Sequence, residues 1–378
     1  MSDAVVSSLF SSESNLKNKG KRVSSESVPK HYHDVQYVIS DTKDTVIYVI
    51  NFGKSDGYIL MSGDKLRFPV LAYVDSGRVD VDKINKKSPF GCWVEEKKVE
   101  ISNALKQPID TADHYYKLWK GVGSDSCSLK IEFSKPTLSK IKNSPSERRR
   151  NTLNRSTIYP WNGSALKWGQ GTGYNYNSPG YPWTDNLAGC PAVAIGMLNY
   201  YHFFPYKYNY YYMPNTLEIS ENVFFNGPNQ IAEMFRDIAD SIPNYVWGSQ
   251  YSGGSGAIPE DILTGIKRLG YKNAIFSDYN IETVYNNLLN HRPVLLAGFR
   301  NYGGGHIWFC DGFYEAKFTI TKTTNYLFWC SVEKWDEYED FLYMNWGWDG
   351  KENNWFAASD FKEYGIQKKM FTDLYPVY

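Results

Sequence analysis

The chain has 378 residues, 42% hydrophobic and 22% charged, with 41 basic and 41 acidic side chains and a formal net charge of zero. That length accommodates two ordinary domains with cores of their own. The charge balance gives no reason to expect nucleic acid or an anionic membrane surface as a partner. No apolar run is long enough to span a bilayer.

The first residues, 1–32, are polar and Ser- and Lys-rich, with no apolar signal-peptide core, and predict a mobile stretch. Three strand-like runs follow, "TVIYVINF" from Thr45, "GYILMS" from Gly57 and "FPVLAYV" from Phe68, separated by turn residues, which predicts an antiparallel meander. Residues 94–106 and 112–120 carry helical spacing. The texture then changes. "SKPTLSKIKNSPSERRRNTLNRSTIYP" is rich in Ser and Pro and holds the basic cluster Arg148, Arg149 and Arg150. A solvated loop is the plain reading, and such a loop is also what a processing protease cuts. The expected organisation is a polar N-terminus (1–32), a small α+β unit (33–140), a linker (141–160) and a larger domain (161–378). Within the larger domain, helices are predicted over 188–204, from Asn229 and from Pro259. Beyond Pro293 come strands: "PVLLAGF", "HIWFCDGFY", "KFTITK", "NYLFW" and "FLYMNW". Helices followed by antiparallel strands predict an α+β fold.

Five cysteines, widely spaced and with no C-x-x-C pair, argue against a zinc knuckle or a thioredoxin-type site, and the odd number leaves at least one thiol free. Cys190 stands out in "AGCPAVAIGMLNYYHFF". Pro191 suits a first helical turn, Gly189 permits a sharp approach, and Val193, Met197, Tyr200, Tyr201 and Phe204 supply an apolar stripe up to Pro205. A thiol at a helix head sits among unsatisfied N–H groups and is expected to ionise more easily. A buried structural cysteine is the competing reading.

Of six histidines, His31 and His33 form a weak H-x-H pair, His114 and His202 read as packing, and His291 lies at a helix-to-strand turn. His306 differs, because "NYGGGHIWFCDGF" delivers it from three glycines onto an apolar strand. Asn345, in "FLYMNWGWDG", is placed to accept from its ring N–H, with one of the following tryptophans, Trp346 or Trp348, as a shield. Gln170, in "LKWGQGTGYN", together with the Cys190 N–H, is a candidate oxyanion hole.

In that order, "WGQGTGYN", "GCPAVAIGMLNYYH", "GGHIWFCDGF" and "MNWGWDG" resemble the signature blocks of the streptopain family of papain-like cysteine peptidases. "GGSGAIPEDILTGIKRLGY" resembles that family's Ser-Gly-Ala loop, and residues 48–77 resemble its propeptide. The resemblance implies a papain-like domain, a helical part plus an antiparallel sheet part, behind a small α+β prodomain. It implies Cys190 as nucleophile, His306 as base and then acid, Gln170 on the oxyanion, and Asn345 and Trp346 supporting the histidine. Residues 253–257, with Gly254, Ser255 and Gly256 at their centre, would border the substrate cleft, and Arg148–Arg150 would mark the processing site. No cofactor or metal is implied. The implied partners are protein or peptide substrates and the chain's own prodomain as intramolecular inhibitor, in a protein secreted or held at the cell envelope. Pro191 stands where the family more often has valine, and "KTTNYLFWCSVEKWDEYED" reads as an inserted hairpin.

Three other functions compete. "GGSGA" approaches the serine-hydrolase elbow, with Asp311 and His306 downstream, but lacks the strand an elbow needs. A catalytically retired homologue could use its aromatic surface, 31 tyrosines among them, to bind protein or glycan. An acyltransferase or amidase could use the same Cys-His pair.

Overall fold

A computed structural model describes residues 32–66, 69–74, 77–86, 88–109, 111, 113–119, 127–134, 166–217, 229–249, 251–300, 305–326, 329–358 and 366–377. The Arg148–Arg150 cluster, His31 and most of the polar N-terminus lie outside them.

In chain order the N-terminal unit holds β1 (Tyr32–Ile39), β2 (Thr45–Phe52), β3 (Tyr58–Ser62), β4 (Val70–Val74), α1 (Pro89–Ala104), α2 (His114–Trp119) and β5 (Cys127–Ser134). The predicted meander is present, with β1 added before it. α1 starts earlier than its periodicity suggests: the Ser88 hydroxyl caps it by accepting from the Gly91 N–H, and Pro89 occupies the first turn. β2 is apolar on both faces because both are covered. Ile47 and Val49 enter one core with α1, while Tyr48, Ile50 and Phe52 enter another.

The C-terminal part holds α3 (Cys190–His202), α4 (Gln230–Ser241), α5 (Pro259–Arg268), β6 (Ile275–Asp278), α6 (Ile281–Leu289), β7 (Val294–Arg300), β8 (Gly305–Asn325), β9 (Cys330–Asn345), β10 (Asn354–Ala357) and β11 (Ile366–Thr372). "HIWFCDGFY" and "KFTITK" are one strand, β8, bent at a register shift between Cys310 and Phe313. "NYLFW", predicted as a strand, is not one: Asn325 ends β8, Tyr326 and Trp329 belong to neither strand, and residues 327–328 lie outside the described residues. The outer halves of β8 and β9 pair from Glu315↔Asp340 to Asn325↔Cys330. The inserted segment is therefore a long two-stranded arm, and β5 pairs along its β8 edge.

The strands form one sheet in the order β1-β2-β3-β4-β10-β9-β8-β7-β11-β6. The N-terminal meander is joined to it through β4 and β10, with Tyr73 opposite Trp355 and Ala72 opposite Phe356. One sheet thus runs through both parts of the chain. Helices α3, α4 and α5 share a core with β7 and β8 on one face. Among the described residues no helix is long and apolar enough to cross a membrane.

Candidate active site

The Cys190 turn is built from glycine outward. Gly189 has φ +93°, and a Cβ there would run into the Tyr245 hydroxyl and crowd the Ser255 carbonyl at 2.8 Å, so only glycine fits. Helix α3 then dives into the core, with every residue from Pro191 to Tyr200 buried. A helix apolar all round is an interior helix, and this one fixes Cys190 against β8. Phe203, left-handed at φ +50°, ends it before Pro205.

Cys190 is half-buried, and its sulfur lies beside the backbone amide of Ile307, the residue after His306. Burial pushes its thiol up to about 11, while the Ile307 and Cys190 amides pull the other way. This reverses the expectation of an easily ionised thiol: enclosure outweighs the helix head.

His306 sits on β8 opposite Gly298 of β7. Its Nε2 meets the main-chain carbonyl of Trp346 at 2.8 Å. A carbonyl can only accept, so Nε2 carries the hydrogen and, in the neutral ring, Nδ1 holds the lone pair. The Trp308 and Trp346 rings lie nearly parallel to the imidazole at 5.9 and 6.5 Å.

Asn345, expected to accept from that ring, does something else. Its Nδ2 donates to the Leu166 carbonyl at 2.8 Å and its Oδ1 accepts from the Gly347 N–H at 3.3 Å. It ties the irregular segment leading to Gln170 to the Trp346 turn, and the histidine is held by the next residue's carbonyl. The turn is further fixed by Asn353, whose Oδ1 accepts from the Trp346 N–H at 3.0 Å, and by the Trp346 indole donating to the Glu352 carbonyl at 3.0 Å. Sequence reasoning does not single out Asn353 or Glu352. The only signal for them is the cluster of turn residues in "GWDGKENN", which adopts positive φ at Gly347, Asp349, Gly350 and Glu352.

Gln170 is placed through its backbone, whose carbonyl accepts from the Ala188 N–H at 2.8 Å, two residues before Cys190. Gly169 lies flat on Asp349, whose carboxylate a Cβ would strike, and the Asp349 N–H donates to the Trp168 carbonyl. Structure therefore brings Gln170, Cys190, His306, Asn345 and Trp346 together at the junction of α3, β8 and the β9–β10 turn.

The 253–257 loop departs in part from its expected role. Ser255 is buried, its hydroxyl donating to the Leu187 carbonyl at 2.7 Å and accepting from the Gly248 N–H at 2.9 Å. It braces the Cys190 turn from behind and is no exposed nucleophile. A Cβ at Gly253 or Gly254 would meet nothing, so those two face open space, while Gly256 pairs with Val246. His202 packs as expected, bonded to the Leu374 carbonyl and held down to about 4 by burial. Among the described residues no three His, Cys, Asp or Glu side chains gather to hold a metal ion.

Residues 206–356, which include His306, Asn345 and Trp346, match the peptidase C10 family, and residues 5–101 match the Spi protease inhibitor family. The chain thus carries a peptidase C10, or streptopain-family, domain behind a Spi-type propeptide inhibitor domain. It is a cysteine peptidase carrying its own propeptide inhibitor domain. Its fold resembles that of a fragment of Prevotella intermedia prointerpain A, solved as a cysteine-to-alanine mutant, at 17% identity and a TM-score of 0.58, over 91% of this chain and 99% of that one. Active wild-type Prevotella intermedia interpain A matches 56% of this chain and 94% of its own, at 17% identity and a TM-score of 0.42. No curated protein sequence matches the chain. In this C10 zymogen the propeptide and the peptidase share a sheet, and the propeptide helix α1 reaches the histidine turn. Ser88, its cap, donates to the Glu352 carboxylate at 3.4 Å, and burial pushes that carboxyl up to about 7.

Proposed function

We propose that the chain is the latent precursor of a secreted cysteine endopeptidase acting on proteins and peptides through a thioester acyl-enzyme. The observation that carries this reading is the meeting of the Cys190 sulfur with the His306 strand at the Ile307 amide, with the imidazole tautomer fixed by the Trp346 carbonyl. His306 Nδ1 takes the thiol proton as Sγ bonds to the scissile carbonyl carbon. The Cys190 N–H and the Gln170 side-chain amide donate to the resulting oxyanion. As the C–N bond breaks, the imidazolium gives its proton to the leaving amine. Water then attacks the thioester while His306 accepts its proton, which returns to sulfur as the carboxylic acid leaves. Asn345 and Trp346 are positioning residues in this scheme. The cleft is bordered by the open backbone at Gly253 and Gly254. Activation is a cut in the linker near Arg148–Arg150, between an N-terminal unit of residues 33–140 and a peptidase domain of residues 161–378.

The test is the intact mass of purified protein over time under reducing conditions, beside Cys190→Ala. Loss of an N-terminal piece ending near Arg150 in the wild type alone is the expected result. Uncut protein that also fails to hydrolyse casein after trace trypsin would sink the reading in favour of a retired homologue.

A further inference from the structure

The inserted arm has a partner within the chain. One face of the β2–β3 pair packs on α1 and the peptidase core; the other, with Tyr48, Ile50, Ile59 and Met61, lies in a separate buried cluster. That second cluster is closed by Phe318 and Ile320 from the outer half of β8, both fully buried, with Trp335 of β9 packed against it. Trp119 of α2 fills the same cluster, and Lys322 of the arm donates to the Lys117 carbonyl at 2.9 Å. Beside this, β5 runs antiparallel along the arm from Cys127↔Thr324 to Ser134↔Lys317. The arm therefore grips the inhibitor domain on the face opposite the peptidase core, by apolar packing and by a full strand ladder.

In the chain the linker, residues 141–160, comes after β5. A cut anywhere within it leaves all of these contacts in place, because β5 stays with the inhibitor and the arm stays with the peptidase. Separating the two would expose a large apolar surface and an unpaired strand edge. We propose that the β8–β9 arm is the docking surface that holds the cleaved inhibitor domain, the fragment ending after β5, as a noncovalent partner of the peptidase once the linker is cut. This rests on the zymogen reading above. Linker cleavage then yields an inhibited two-piece complex, and full activity follows dissociation or further cutting of the inhibitor. β-strand addition supplies the affinity and the Phe318–Ile320 face supplies the selectivity.

The test uses the full chain as Cys190→Ala, with a site for a sequence-specific protease placed in the linker at Arg148–Arg150. After complete cutting, native mass spectrometry follows the two fragments through serial dilution. The expected result is one complex that persists to nanomolar concentration, and Ile320→Lys complexes that separate at about a hundredfold higher concentration, as for removal of a central interface anchor. Fragments that separate at once without any arm substitution, or that stay together equally well with Ile320→Lys, would overturn the proposal. Should Ile320→Lys not fold, Trp335→Ala carries the same comparison with the same outcomes. Casein hydrolysis by the cut chain with Cys190 intact, read on dilution, tests the catalytic reading separately: fragments that separate without activity count against the peptidase and leave the docking surface standing.

Discussion

The Trp93 ring of propeptide helix α1 meets Phe356 of β10 edge-on, with centroids 5.1 Å apart, and Phe356 in turn meets Trp346 at 5.3 Å. Trp346 is the residue whose carbonyl holds His306. Two aromatic contacts thus join the inhibitor domain to the histidine turn. Trp93→Ala is expected to cost about 3–5 kcal/mol of stability, as for other buried Trp truncations, read as a lower urea midpoint. It is also expected to speed the appearance of the processed chain. A stability loss with unchanged processing would mean that the contact holds the domain without informing the site.

Cys190 in the intact precursor should react as a buried thiol. With its ionisation pushed up to about 11, the thiolate is on the order of one part in ten thousand at pH 7. Iodoacetamide labelling of Cys190, followed by peptide mass, should be slow at neutral pH and rise with a midpoint near 11. Cys330, exposed at the end of the arm, provides an internal control. Fast neutral labelling of Cys190 in the uncut chain would contradict the enclosure described above.

Glu352 predicts a pH dependence of the precursor. Its carboxyl is raised from 4.5 to about 7, first by burial, against the weaker opposing pull of Ser88 and Lys351. The folded chain keeps a proton there that the unfolded chain has already lost, so stability falls as pH rises across that window and levels off above it. Tyr58, buried beside it, is itself raised and offers no compensating charge. Glu352→Gln should therefore melt with the wild type below the window and several degrees above it at pH 8. Parallel melting curves across the whole range would show that the carboxyl is solvated.

Much of this is legible in the chain itself, for reasons that differ by element. The meander and α3 announce themselves through apolar runs bounded by Gly and Pro, and the site through four short blocks in one order. β5 and β1 are not legible, because a strand on a sheet edge needs only its partner's ladder and carries a weak pattern of its own. The arm reads as a hairpin, but its grip on the N-terminal domain depends on contacts between residues some 270 positions apart, such as Ile50 and Ile320 in one cluster. The histidine's partner is a main-chain carbonyl, which no side-chain pattern encodes. The thiol's raised ionisation comes from packing around the helix head, which outweighs the local rule that sequence supplies.

Asn345 separates two accounts of the site. If its amide held the imidazole, Asn345→Ala would free the ring and shift the pH profile of kcat/KM. In this structure the amide bridges the Leu166 carbonyl and the Gly347 N–H, inside the core. Removing it leaves the Gly347 N–H without this acceptor and the Leu166 carbonyl with only the longer bond from Asn353 Nδ2 at 3.5 Å, at about 1–3 kcal/mol. The expected outcome for activated Asn345→Ala is lower stability and reduced kcat, because the Gln170 segment and the Trp346 turn lose the shorter of the two amide links between them and keep only that through Asn353. The pH profile should stay where it is, since the Trp346 carbonyl still fixes the tautomer. Asn345→Asp keeps the acceptor toward Gly347 but turns an oxygen on the Leu166 carbonyl, so it should be no better than alanine. A displaced pH profile in Asn345→Ala would restore the amide as the histidine's partner in the active form; the aspartate variant is read for stability alone, because its charge shifts the imidazole by itself.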